Sequence, residues 1–137
     1  MRSIYPSRFL RYALLADALA CTLLVVLQLS LTEPLAGGLQ LPSILLTGSA
    51  VFLAGYVGLL ILLASSKSVW KALVALVVIG NGAWAVGCLA LALLTGPSGL
   101  GVAYLVAQAV FVLVIARIEW LGLDKSPVAA PRRPVLA

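Results

Sequence analysis

The chain contains no histidine, one methionine, two cysteines and only four acidic residues, and each scarcity excludes a class of chemistry. Without imidazole, and with Cys21 and Cys88 far apart rather than in a Cys-x-x-Cys pair, nothing can assemble a zinc-type metal site, so neither a metal nor another cofactor is expected. Charge is scarce too. Only 9% of the 137 residues are charged while 64% are hydrophobic, and the mean hydropathy is +1.19. Soluble domains carry about 25% charged residues, and a chain this poor in them cannot cover a core with polar surface. The composition is that of an integral membrane protein with a single membrane domain.

The net charge of +5 does not point to nucleic acid. The basic residues stand at the ends of apolar runs and lack the aromatic interleaving that nucleic-acid surfaces use, so lipid headgroups are the expected contacts. No nucleic-acid partner is expected.

Four runs, at about residues 9–31, 43–64, 70–94 and 99–121, each exceed the roughly 20 residues a helix needs to span a bilayer. The expected fold is therefore all-α, a four-helix transmembrane bundle. Arg2, Arg8 and Arg11 precede or open the first run, Lys67 and Lys71 flank the second connection, and Arg117, Lys125, Arg132 and Arg133 lie at or beyond the end of the fourth. The other two connections carry no Lys or Arg, so the positive-inside rule places both termini in the cytoplasm of a multi-pass protein of the bacterial inner membrane. Trp70 and Trp120 would mark that interface. The first run resembles a signal peptide but is too long for one, and it is read as retained. Thr32, Glu33, Pro34, Gly37, Gly38 and Pro42 predict a loop, and Ser65, Ser66 and Ser68 a turn without a catalytic partner. The stretch 122–137, rich in proline and arginine, predicts an extended or disordered cytoplasmic tail.

Polar groups inside the runs carry the functional reading. Asp17 is the anomaly. At roughly 1.5 Å per residue it lies about 12 Å into its helix, Asn81 about 16 Å and Gln108 about 20 Å from the same side. Asp17, Asn81, Trp84 and Gln108 are therefore expected to share one interior polar seam, since hydrocarbon cannot satisfy them. Such a seam serves as interhelical glue, as a binding site, or, through Asp17, as a proton or cation site. Arg11 and Glu119 are expected to form an ion pair at the cytoplasmic boundary. Cys21 and Cys88, at depths of about 18 Å and 27 Å, are too far apart for the roughly 7 Å Cα limit of a disulfide and read as inert. Ala50, Ala54 and Gly58 recur every four residues, a ridge suited to a partner helix or a second copy of the chain.

In outline, four short helices with a carboxylate in the first resemble small multidrug resistance exporters, in which a helix-one Glu exchanges protons for cationic drug in an antiparallel dimer; Asp17 would be its counterpart. Arg11-Tyr-Ala-Leu-Leu-Ala-Asp17-Ala, Asn81-Gly-Ala-Trp84, Ala107-Gln108-Ala109 and Glu119-Trp-Leu-Gly-Leu123 together resemble a set of uncharacterised bacterial four-span membrane proteins, a likeness that implies no activity. The function expected is that of a non-enzymatic accessory or lipid- or small-molecule-binding component. A proton- or cation-coupled transporter using Asp17 is the alternative, with a quinone-handling redox protein third. A transporter expects a water route to Asp17; a quinone site expects a lateral opening beside Trp84.

Overall fold

A computed structural model describes residues 3–129. Its elements run β1 (Ser3–Ile4), α1 (Arg8–Ser30), α2 (Thr32–Leu39), α3 (Ser43–Ser65), β2 (Val69–Trp70), α4 (Lys71–Leu94) and α5 (Gly99–Asp124). The four long helices, α1, α3, α4 and α5, are each apolar and long enough to cross a membrane, and together they form an all-α four-helix transmembrane bundle. Many of their large side chains point outward, as a lipid-facing surface requires: Ile44 is 79% exposed and Leu93 83%.

Helix limits follow local chemistry. Ser7 caps α1 by accepting a hydrogen bond from the Leu10 amide at 3.2 Å, and Ser98 caps α5 through the Gly101 amide at 3.1 Å. Beyond α4, Gly96 takes a left-handed backbone with φ of 60° and Pro97 follows, so the helix cannot continue. The guanidinium of Arg11 completes the exposed end of α3, donating to the carbonyls of Ala64 at 2.5 Å and Ser66 at 2.8 Å. The last carbonyls of a helix have no partner within it, and a cation is a favourable one.

Three features depart from the sequence reading. The predicted loop after α1 contains the short helix α2, because Pro34 falls in its first turn, where a missing N–H costs nothing. Trp70 does not open α4 but ends a strand: β1 and β2 pair antiparallel, Ser3 opposite Trp70 and Ile4 opposite Val69. The fourth span continues past Leu121 to Asp124, and the chain then folds back onto β1. There the Tyr5 amide donates to the Pro127 carbonyl at 2.9 Å and the Ala129 amide to the Ser3 carbonyl at 2.8 Å. The expected disorder thus does not extend to residues 126–129; the remainder of that expectation, on residues 130–137, lies outside the described residues, as does Arg2.

β1, the α3–β2 connection and the segment after α5 therefore meet at one end of the bundle, which also carries Arg8, Lys67, Lys71 and Lys125. At the opposite end α2 is tied to the turn before α5, where Ser98 donates its amide to the Leu39 carbonyl at 3.0 Å and its hydroxyl to the Gly38 carbonyl at 2.8 Å. α1 packs along α3 and α4 along α5, and the two pairs join through α1 and α5. Gly122 makes the joint close: a Cβ there would lie 2.9 Å from the Leu10 Cα. The backbones of α3 and α4 stay apart, which leaves a cleft between them.

Candidate functional site: a buried carboxyl pair behind a lateral cleft

Two apolar cores occupy the ends of the bundle, one around Leu10, Leu14, Leu60 and Val74, the other around Leu39, Ala85, Leu105 and Ala109. Between them lies a polar cluster drawn from all four spanning helices. Asp17 on α1 and Glu119 on α5 are both 0% exposed, and Asn81 on α4 is 4% exposed. The Asn81 carboxamide nitrogen donates to Asp17 Oδ2 at 3.2 Å and to Glu119 Oε2 at 3.1 Å. The Tyr56 hydroxyl of α3 lies 3.1 Å from Asp17 Oδ2 and 3.1 Å from the Asn81 carbonyl oxygen. Cys21 Sγ adds a longer contact to Asp17 Oδ1 at 3.5 Å. Among the described residues Glu119 Oε1 has no hydrogen-bond partner.

Helical spacing accounts for the convergence. Cys21 follows Asp17 by one turn on the same face, and both turn inward with Leu14 and Ala18. Glu119 shares the inner face of α5 with Val112, Ile115 and Ala116. Because α5 runs to Asp124, Glu119 sits more than a turn inside the helix rather than at its mouth.

The expected boundary ion pair is not formed. Arg11 directs its guanidinium to the carbonyls of Pro6, Ala64 and Ser66, while Glu119 turns inward to Asn81. Satisfying helix-end carbonyls holds Arg11 at the rim, and the inward face of α5 takes Glu119 away from it. The expected seam is divided. Asp17 and Asn81 meet in the carboxyl cluster, whereas Trp84 donates its indole N–H to Gln108 Oε1 at 3.4 Å. A third polar group joins Gln28, Ser49 and Tyr104: Gln28 Nε2 contacts the Tyr104 hydroxyl at 2.8 Å, and the Ser49 hydroxyl donates to Gln28 Oε1 at 3.1 Å.

Tyr56 was not picked out from the sequence, although a signal existed. A tyrosine in mid-span lies away from the interfacial belt where that residue collects, and its hydroxyl needs a partner there.

The cleft between α3 and α4 exposes part of this polar interior. One cavity of about 430 Å³ is lined by Cys21, Phe52, Tyr56, Gly80, Asn81, Trp84, Ala107 and Gln108, among others. A second of about 570 Å³ continues toward Gln28, Ser49, Cys88 and Tyr104. Both touch Phe52, Gly80, Trp84, Tyr104 and Gln108, and the rings of Phe52 and Trp84 stack at 5.9 Å with 8° between planes. Asp17 and Glu119 do not line either cavity; Tyr56 and Asn81 stand between them and it. The lateral opening beside Trp84 is thus present, while Asp17 is sealed. Of the small-residue ridge, Ala50 is packed inside the bundle, and Ala54 and Gly58 face outward. Cys21 and Cys88 are both unpaired and buried, and no group of three or more His, Cys, Asp or Glu side chains among the described residues could hold a metal ion.

No protein-family model, curated protein or solved structure matches this chain.

Proposed function

We propose that this chain is a membrane-embedded binding protein that admits a lipid-soluble molecule from the bilayer into the α3–α4 cleft. The observation that carries the reading is the combination of an apolar cavity of about 430 Å³ with a few convergent polar groups, Asn81, Tyr56 and the Trp84–Gln108 pair. Small-molecule sites commonly have volumes of about 300–1,000 Å³ and this apolar lining with few polar anchors. The occupant has an apolar tail and a head bearing a hydroxyl, able to donate to the Asn81 carbonyl oxygen, or a carbonyl, able to accept from the Gln108 carboxamide N–H; a quinone is one molecule of the latter description. The basic end, with Arg8, Lys67, Lys71 and Lys125, supports placing both termini in the cytoplasm of a bacterial inner membrane. The protein belongs, on this reading, with the bacterial four-span proteins it resembles, as an accessory or ligand-carrying component. Ala54 and Gly58 leave room for a partner helix or a second copy.

Photolabelling tests the cleft. A long-chain fatty alcohol with a diazirine next to its hydroxyl, applied to the protein in nanodiscs, is expected to label residues around Trp84, Ala107 and Gln108. Gly80→Leu should abolish that labelling without disturbing the fold, since a Cβ at Gly80 meets nothing within 4 Å and the side chain would occupy the cavity. Labelling spread over the outward-facing leucines, unchanged by Gly80→Leu, would overturn the proposal.

A further inference from the structure

The polar cluster contains a hydrogen-bond count that only an added proton balances. Tyr56 carries a single hydroxyl hydrogen, yet its oxygen is 3.1 Å from Asp17 Oδ2 and 3.1 Å from Asn81 Oδ1. A carbonyl oxygen has no hydrogen to give, so the hydroxyl hydrogen belongs to Asn81. The contact to Asp17 then needs a hydrogen on Oδ2. With it, three groups close a ring: Asp17 donates to Tyr56, Tyr56 to Asn81 Oδ1, and Asn81 Nδ2 back to Asp17. Exchanging the oxygen and nitrogen of Asn81 does not remove the need. It would place the carbonyl against both Asp17 and Glu119, and two protons would be required instead of one.

Glu119 is different. It accepts one hydrogen bond from the second Asn81 N–H, and its other oxygen has no partner among the described residues. The groups facing it are Asp17 and Cys21 on α1 and Tyr56 on α3, with Asn81 as the polar neighbour on α4. None is a cation. Arg11, the nearest basic residue on α1 by sequence, is committed to backbone carbonyls.

We propose that the two carboxyl groups have divided roles: Asp17 is a permanently protonated member of the Asp17–Tyr56–Asn81 ring, and Glu119 is the group that gains and loses a proton. The single donor reaching Glu119 is sufficient for a transient carboxylate, and its free oxygen is where a proton would attach. Asn81 joins the two groups and also lines the cleft, so a molecule bonding Asn81 would change the one donor that Glu119 has. This assignment uses residues behind the cleft and stands whether or not the cleft holds a ligand.

Infrared spectroscopy of the protein in nanodiscs tests it, read above about pH 6, where exposed carboxyl groups have ionised. Two protonated-carboxyl bands are expected, one persistent and one lost as pH rises. Incorporation of ¹³C-Glu should shift only the titrating band, and ¹³C-Asp only the persistent one, without altering any side chain. Glu119→Gln should remove the titrating band and Asp17→Asn the persistent one. A titrating band that moves with ¹³C-Asp, the absence of any protonated carboxyl, or two bands titrating together would overturn the proposal. So would loss of the Glu119 band on adding sodium ions at fixed pH, which would make the site one for a metal cation.

Discussion

Tyr56 is the residue on which the polar interior turns, because among the described residues its hydroxyl makes the hydrogen-bonding contacts that join α3 to Asp17 on α1 and Asn81 on α4. Removing that hydroxyl by Tyr56→Phe leaves Asn81 Oδ1 and Asp17 Oδ2 each short of a partner while the ring still fills its space. Hydrogen bonds between membrane helices contribute about 0.6–2 kcal/mol. Tyr56→Phe is therefore expected to destabilise the protein by about that much, measured by steric-trap unfolding in bicelles. An unchanged unfolding free energy would mean that the hydroxyl is not bonded in this way. Asp17 and Asn81 were legible from the sequence because an ionisable group and a carboxamide stand out in hydrocarbon. Tyr56 was not, since a phenol in an otherwise uncharged run counts as apolar. The depth of Glu119 was not legible, and charge complementarity with Arg11 suggested a partner that helix-end carbonyls had already claimed.

At the scale of elements, the four spans could be read directly from run length, a property that tertiary contacts hardly alter. The smaller elements could not. A two-residue strand has too few positions to show a period of two, and β1 and β2 exist only because each finds the other. α2 was hidden because Pro34 stops a helix in its interior but is accepted in a first turn. The spacing between α1 and α5 depends on Gly122, whose missing side chain lets the Leu10 backbone approach. Gly122→Ala would force these helices apart, and overpacking of this kind costs about 1–3 kcal/mol. Heat or detergent challenge followed by size-exclusion chromatography should find that variant unfolding earlier than the parent; equal resistance would show that the joint tolerates a methyl group.

For the whole molecule, the arrangement is two antiparallel helix pairs joined along α1 and α5 and parted between α3 and α4. Neighbours in sequence are thus not always neighbours in space, and no count of polar faces could have located the cleft. What secures the basic end is a small network around Ser126, which is 8% exposed. Its hydroxyl accepts from the Ser7 amide at 3.1 Å and donates to the Gly122 carbonyl at 2.8 Å. Ser126→Ala would leave the half-buried Ser7 N–H without its partner, a loss of about 0.5–1.5 kcal/mol for one hydrogen bond. The expected outcome is faster hydrogen exchange at the Tyr5 and Ala129 amides, with the amides in the middle of α4 unaffected. Uniformly faster exchange would indicate that the damage is global.

The contact between Ser3 and Ala129 also has a meaning in time. A ribosome releases Ser3 long before residues 127–129, and α1 must wait in the bilayer, its first strand half-paired, until α5 has been threaded. Only then can the backbone at Ser3 bond to that at Ala129, closing a loop over the residues between them. Such a closure comes late because long loops carry the largest entropy of ring formation and gain contacts only when complete. Assembly of the bundle therefore finishes with the pairing of Ser3 and Ala129.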